Sequence, residues 1–490
     1  MIKKVCQQVF KVNNSTPNAL KSYADIPGPR SVPLLGSLFS LKGFGGEYNL
    51  LEFRDFQDIL QSHYGNIVKW ELFNQKNVYL YDPDLIRQAF KTDGNTPHRS
   101  LLFPILKLHK KLGIKSTLSN SQGERWRKLR SLSNPCMARP QAILSYLPNQ
   151  NQVANELIDL IEQKFHTTSN SITYHKFDQI LRLLALEYVS EIAFDKRLYC
   201  VDEKKRLADV DQLVTCINTF FIQAGRLLFS PPVWKYYPTK DWVEFEQASR
   251  YIYKKTGEYI HNAYEDLSNN HGKQTILKEF LVRKDKHGMS TDDVVGLMTD
   301  FLMAGVDTTA TAIHYLLYDL STNPAIQDKL YQEINQVVGN SGEITEDHLN
   351  KLKYLKCVVK ESLRLHSSVP ANSRILTEDT QIGDYLIPKG VVLVFCNSFI
   401  SKSEKYFKNA TSFNPDRWIH EKEINPYAVL SFGFGARMCI GRRIAEQEIY
   451  LTMIKLMQKY RVEYIGEKPG LKIGLVAAPN RPLDLNLHRR

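Results

Sequence analysis

The stretch FGFGARMCIG, Phe432 to Gly441, decides how the rest of this chain is read. Gly433, Gly435 and Gly441 surround Cys439, and Arg437 precedes it by two residues. Glycine permits tight turns and close approach of the backbone to another group. A thiolate that ligates a metal needs such a loop. A free thiol titrates near about 8.5, and a metal or nearby cation lowers that value. Arg437 is such a cation; an acidic group of a cofactor is its other candidate partner. From Gly441 the run Arg442-Arg443-Ile444-Ala445-Glu446 resumes a helix, and its positive N-terminal end then faces the cysteine. Taken alone, Cys439 also fits a buried core thiol in a glycine-rich loop.

The chain has 490 residues, 43% of them hydrophobic, which is ample for a large core. Its net charge of +12 suggests acidic partners. The basic residues are scattered and no nucleic-acid module appears, which argues against DNA or RNA. The seven cysteines include no CxxC pair, so neither a disulfide framework nor a zinc site is suggested. A reducing compartment is the natural reading. No apolar run reaches the roughly 18 residues of a transmembrane helix.

Residues 1–25 differ from the rest. They carry Lys3, Lys4, Lys11 and Lys21 and no acid before Asp25, and Ile2, Val5, Val9 and Phe10 fall on one helical face. A basic amphipathic segment without acids reads as a mitochondrial transit-like leader; an ordinary disordered basic terminus is the alternative. Ile26-Pro27-Gly28-Pro29-Arg30 reads as a rigid hinge before a single domain over 26–490. Val78–Tyr81 and Val391–Phe395 are short β-rich runs. A long helix is expected from Asp292 to about Leu320, stopped by Asn323-Pro324, and another begins at Thr345. The reading is mainly α with minor β.

Within the long helix lies Ala304-Gly305-Val306-Asp307-Thr308-Thr309. Glycine there costs about 1 kcal/mol relative to alanine. Three weak helix formers together suggest a local opening, where Gly305 lets another group approach the backbone. Asp307 and Thr308 are the catalytic candidates: a hydroxyl can bond a ligand, and a carboxylate can relay protons. The alternative is a polar face with threonine bonded back to a carbonyl. Elsewhere Glu361 and Arg364 sit three apart on one helix face, and Trp126 and Arg130 four apart on another.

The run Phe432-x-x-Gly435-x-Arg437-x-Cys439-x-Gly441-x-x-x-Ala445 resembles the haem-binding signature of the cytochrome P-450 family. Glu361-Ser362-Leu363-Arg364 resembles its ExxR motif, Phe413-Asn414-Pro415-Asp416-Arg417-Trp418 the segment that locks onto it, and Trp126 to Arg130 its WxxxR. The resemblance covers nearly the whole chain after Ile26. It implies the cytochrome P-450 fold, with haem b (iron protoporphyrin IX) between the long central helix and the cysteine loop. It makes Cys439 the iron ligand, and Phe432 and Gly441 part of the haem loop. It assigns Trp126, Arg130, Arg374 and Arg437 to the haem propionates, which guanidinium groups suit. Glu361, Arg364 and Arg417 are then a buried structural network. Ser367 departs from the family's usual proline and Asp416 from its commoner glutamate.

The chain has no flavin or nicotinamide domain, so a separate electron donor is implied. Lys356-x-x-x-Lys360-Glu361, with Arg442 and Arg443, resembles the mitochondrial branch, whose lysines dock an adrenodoxin-type ferredoxin. Solvated surface lysines are the alternative. Pro231 to Pro238 mixes aromatics with lysine and suits either a peripheral inner-membrane contact on the matrix side or a packed loop. Phe301, Ala304, Val306, Ala371, Val476 and Ala477 would line an apolar pocket by family position. Asn425-Pro426-Tyr427 and the run from Arg442 to Gln447 resemble arthropod mitochondrial ecdysteroid hydroxylases, in particular the side-chain 22-hydroxylases of the disembodied type. The expected enzyme is a steroid hydroxylase using dioxygen. A mitochondrial detoxifying monooxygenase, a haem-thiolate isomerase or dehydratase, and a haem sensor are the competing readings.

Overall fold

The structure is a computed structural model and describes residues 20–490 apart from 51, 74, 166–169, 270–274, 285, 287, 340–341 and 421–423. Most of the leader expected over 1–25 therefore lies outside the described residues.

The central element is the helix Thr291–Ser321. Ser290 caps it, accepting from the Asp293 amide, while the Asp293 side chain returns to the Ser290 backbone. This reciprocal pairing satisfies two otherwise orphaned donors and fixes the start of the helix. The chain leaves it at Asn323, and Pro324 opens the next helix, Pro324–Val337. Val294, Leu297, Leu302, Val306, Ile313 and Leu317 are all fully buried. A helix that buries residues all round belongs in the middle of a large fold. The helix Phe177–Phe194 is also buried over most of its surface and packs along it.

Strands are few and peripheral. A four-stranded sheet runs Ile67–Leu72, Gln75–Leu80, Val392–Phe395, Asn372–Ile375, with the middle pair parallel. Both β-rich runs read from sequence lie here, side by side. A three-stranded sheet joins Ser171–Tyr174, Leu485–Arg489 and Tyr460–Tyr464, which ties the end of the chain to its middle.

The hinge expected at Ile26 to Arg30 is docked, not free. Ile26 is in the core, and Pro27 accepts a hydrogen bond from the Lys69 amide. A side chain at Gly28 would collide with the Lys69 carbonyl, so glycine here allows one backbone to lie on another. Lys21–Ser22, inside the segment read as leader, pairs in parallel with Tyr385–Ile387. Among the described residues no helix is long and apolar enough to cross a membrane.

Candidate active site

The cysteine loop turns where its glycines allow. Gly433 and Gly435 have φ of 70° and 71°, a conformation that costs other residues a steric clash. Gly441 has an ordinary φ of −84° and caps the helix Arg442–Lys459. The Cys439 amide donates to the Phe432 carbonyl at 2.8 Å, closing the loop on itself. Cys136, Cys200 and Cys396 are buried, whereas Cys439 is exposed. Yet burial raises its thiol above the ordinary value. Both hold if its accessible surface faces an enclosed space within the fold, not open solvent. The Gly441 N–H opposes that rise, as do the guanidinium groups of Arg130, Arg99 and Arg442.

Around this space stand four arginines. Arg437 is buried and spans the loop: its Nε donates to Pro97 O, and one terminal nitrogen to Ser121 O and Gln122 Oε1. Its guanidinium lies 4.1 Å from the Trp126 ring centroid. Burial, with repulsion from Arg99, Arg374 and Arg130, pulls it down to about 9. Arg374 is less free than expected, since its Nε meets both oxygens of Asp93 at 2.9 and 2.8 Å. The Arg130 Nε is buried without a partner. So many cations around little anionic charge are stable only if an anion joins them. The two carboxylates of a haem fit that demand, and the unpartnered Arg130 Nε has the chemistry to bond one.

The ExxR motif lies on the helix Lys353–Leu365. Arg364 meets Glu361 in a fork, Nε to Oε2 at 2.9 Å and a terminal nitrogen to Oε1 at 2.7 Å. Arg417 Nε adds a bond to Oε1 at 2.9 Å. Further guanidinium protons go to backbone carbonyls of Ser401, Ala410, Ser412, Lys408 and Asn409. All three side chains are fully buried. Where the family's proline stands, Ser367 Oγ instead bonds Val369 O at 3.0 Å and holds the turn itself.

The central helix passes through the Ala304 to Thr309 motif without a break. The expected local opening is absent, because the Thr308 hydroxyl donates to Ala304 O at 2.5 Å within a regular helix. Gly305 has a packing reason: a Cβ there would stand 2.9 Å from Val189 Cγ2 of the neighbouring helix. Ala304 is exposed and Thr308 half-buried, whereas Val306 is fully buried in the core. Two residues along a helix turn about 200°, so Val306 cannot share the face of Ala304. Ala477 is likewise fully buried, while Ala371 and Val476 keep accessible surface. Asp307 lies 3.5 Å from Arg182, which also pairs with Asp178 at 3.0 Å. Burial raises the Asp307 carboxyl above its ordinary value, and Arg182 acts against that rise.

Lys356 is half-buried, its ammonium 3.4 Å from Asn350 O. Lys360, Arg442 and Arg443 are exposed, and Arg442 pairs with Glu446 at 2.9 Å. The proline-aromatic loop divides. Trp234 is buried, donating to Leu227 O and stacked on Trp242, whereas Tyr236 is 91% and Tyr237 69% exposed.

The chain matches the family model for cytochrome P-450 over residues 26–486. It belongs to the cytochrome P-450 family. Its relatives include the probable cytochrome P-450 301a1, mitochondrial, of Drosophila melanogaster, 28% identical over 96% of this chain and 88% of that one. The mitochondrial 1,25-dihydroxyvitamin D(3) 24-hydroxylase of Rattus norvegicus is 28% identical over 97% of this chain and 91% of its own. The mitochondrial sterol 26-hydroxylase of the same species is 29% identical over 96% and 90%. This P-450 is thus a haem-thiolate monooxygenase. Among the described residues no group of three or more His, Cys, Asp or Glu is arranged to hold a metal ion. A lone thiolate suits an iron whose other ligands come from a porphyrin.

Sequence reasoning missed Arg99, Arg182 and Asp300. Asp300 is buried, bonded by Thr117, the Ser119 amide and the Ser119 hydroxyl, and pushed up to about 6 by burial. It stands four residues before Ala304, a spacing that was visible, but its partners come from more than 180 residues away.

Proposed function

We propose that this P-450 is a mitochondrial steroid hydroxylase that acts on an ecdysteroid precursor at side-chain carbon 22. It takes its electrons from an adrenodoxin-type ferredoxin. The observation that carries the donor is the grouping of basic residues near the cysteine. Arg442 and Arg443 open the helix that follows Cys439, both are exposed, and Arg442 adds repulsion to the exposed Lys360 ammonium. An acidic protein is drawn to these cations, and opposite charges speed such short-lived encounters. The mitochondrial setting is supported by the names of the relatives, two of which hydroxylate a sterol or a vitamin D. Ala304, Ala371 and Val476 keep accessible apolar surface that suits a sterol frame, whereas Phe301 is buried in the core against Phe280. Exposed Tyr236, Tyr237 and Val233 suit peripheral contact with the inner membrane on its matrix side.

When bound, haem b supplies the activation of dioxygen, one oxygen atom going to a C–H bond and the other to water. Cys439 would hold the iron through its thiolate, which the Gly441 N–H steadies. Arg130 and Arg437 would hold the propionates, and Trp126 packs against the Arg437 guanidinium. Thr308 keeps accessible surface, and its hydroxyl, while donating to Ala304 O, still has oxygen lone pairs that can accept a hydrogen bond. Asp307 delivers protons, and its raised pKa keeps more of the acid form available than an exposed aspartate would. Arg182 and Asp178 lead from Asp307 toward more accessible positions, since their side chains are 27% and 17% exposed against 9% for Asp307.

The test is incubation with NADPH, an adrenodoxin-type ferredoxin, its reductase and an ecdysteroid precursor lacking the 22-hydroxyl. One side-chain-hydroxylated product, absent in Cys439→Ala, is expected. No product from a preparation with an intact haem-thiolate carbon monoxide band would sink the substrate and leave broad detoxification as the better reading. Turnover with a microsomal-type flavoprotein but not with ferredoxin would sink the donor.

A further inference from the structure

Lys360 does not stand free on the surface. It immediately precedes Glu361 on the helix Lys353–Leu365 and leaves that helix on its exposed side. Its ammonium lies 3.8 Å from the centroid of the Trp418 ring. Among the described residues no carboxylate forms an ion pair with it; the ring is its close partner.

The ring is itself held. Trp418 Nε1 donates to Glu361 Oε2 at 3.0 Å. Its chain neighbour Arg417 bonds the other oxygen of the same carboxylate at 2.9 Å. Glu361 and Arg417 are fully buried, so the indole cannot swing away without stranding part of a buried ionic network. One edge of the ring is thus bonded inward while its face carries a cation outward. A cation over an aromatic face is favoured electrostatically. A lysine otherwise gives up rotamer freedom when a partner fixes it. Burial lowers the Lys360 pKa, and Arg442 adds repulsion, so a second cation shares this patch.

We propose that Trp418 is a positioning residue of the electron-donor docking surface. It holds the Lys360 ammonium in place for a carboxylate on an acidic protein. The inference rests on the ferredoxin reading above and adds the residue that makes one lysine a fixed contact. Loss of the platform returns Lys360 to free rotation, and the cost of ordering it falls on the encounter.

The test measures equilibrium binding of a purified adrenodoxin-type ferredoxin to the haem-loaded protein, by calorimetry at low and moderate salt. The variants are Lys360→Gln, Trp418→Leu, Trp418→Phe and the double variant Trp418→Leu with Lys360→Gln. Lys360→Gln is expected to weaken binding about ten-fold, Trp418→Leu about five-fold, and Trp418→Phe about two-fold because a weaker ring face remains. The double variant should bind no more weakly than Lys360→Gln, since the platform has nothing left to hold. Parent-like binding by Trp418→Leu overturns the inference, as does a double variant showing the product of both losses. If Trp418→Leu fails to fold, Trp418→Phe decides: parent-like binding overturns the inference, and a loss that vanishes in the Lys360→Gln background supports it. Parent-like binding by Lys360→Gln removes the docking reading itself, and the inference with it.

Discussion

Replacing Glu361 by Gln would leave two fully buried guanidinium groups facing an amide. Breaking a buried pair from one side costs about 3–5 kcal/mol, because the abandoned charge stays in a poor solvent. Glu361→Gln is therefore expected to lower the urea midpoint by that equivalent, and to cut haem content in the same preparations. Glu448 poses the opposite case. Its carboxyl is buried on the helix Arg442–Lys459, with one oxygen bonded by Thr309 at 3.3 Å and the other unpartnered. Burial pushes it up to about 8. A raised carboxylate pKa means that the folded state binds more protons than the unfolded one, so stability falls as pH rises. The loss begins near the ordinary glutamate value of about 4.3 and is complete above about 8, on the order of 5 kcal/mol at most. Glu448→Gln should flatten the pH dependence of the unfolding midpoint across that window. An unchanged slope would show that Glu448 is ionised in the fold.

At the scale of elements, the contact between the central helix and the helix Phe177–Phe194 rests on Gly305 meeting Val189. Gly305→Ala gains about 1 kcal/mol of helix propensity. It loses about 1–3 kcal/mol through the overpacked contact. A net loss of about 1 kcal/mol in thermal or urea unfolding is expected, and Val189→Ala in the same chain should recover part of it. The proline-aromatic loop behaves as two pieces. Trp234 packs inward, while Tyr236 and Tyr237 face solvent on a surface that also exposes Val233. The double variant Tyr236→Ser with Tyr237→Ser should bind vesicles of phosphatidylcholine and cardiolipin more weakly, by several-fold in a sedimentation assay. Its unfolding midpoint should not move, because neither ring is buried.

For the whole molecule, the net charge of +12 is spread over the chain, and Lys360, Arg442 and Arg443 are exposed members of it. The ferredoxin affinity is expected to fall as ionic strength rises, with a shallower slope in Lys360→Gln. The fold that presents these residues is mostly helix, with small sheets along its margins. Within it the ion-pair network reaches outward through the hydrogen bond from Trp418 to Glu361, and Lys360 lies over the Trp418 ring.

Local chemistry was legible in the chain itself. The glycines at 433 and 435, the Thr345 cap, the Pro324 stop and the i,i+3 pair of Glu361 and Arg364 each depend on residues a turn or less apart. Family membership followed from several such motifs in order. Tertiary structure alone decided what meets across the fold. The purpose of Gly305 came from Val189, the partner of Asp307 from Arg182, and the engagement of Arg374 from Asp93. It also turned Val306 inward and docked the Pro27-Gly28 segment on Lys69. Sequence carries short-range geometry because backbone conformation and helix pitch are local. Which distant side chain fills a given space depends on how helices pack, and packing has no one-dimensional signature.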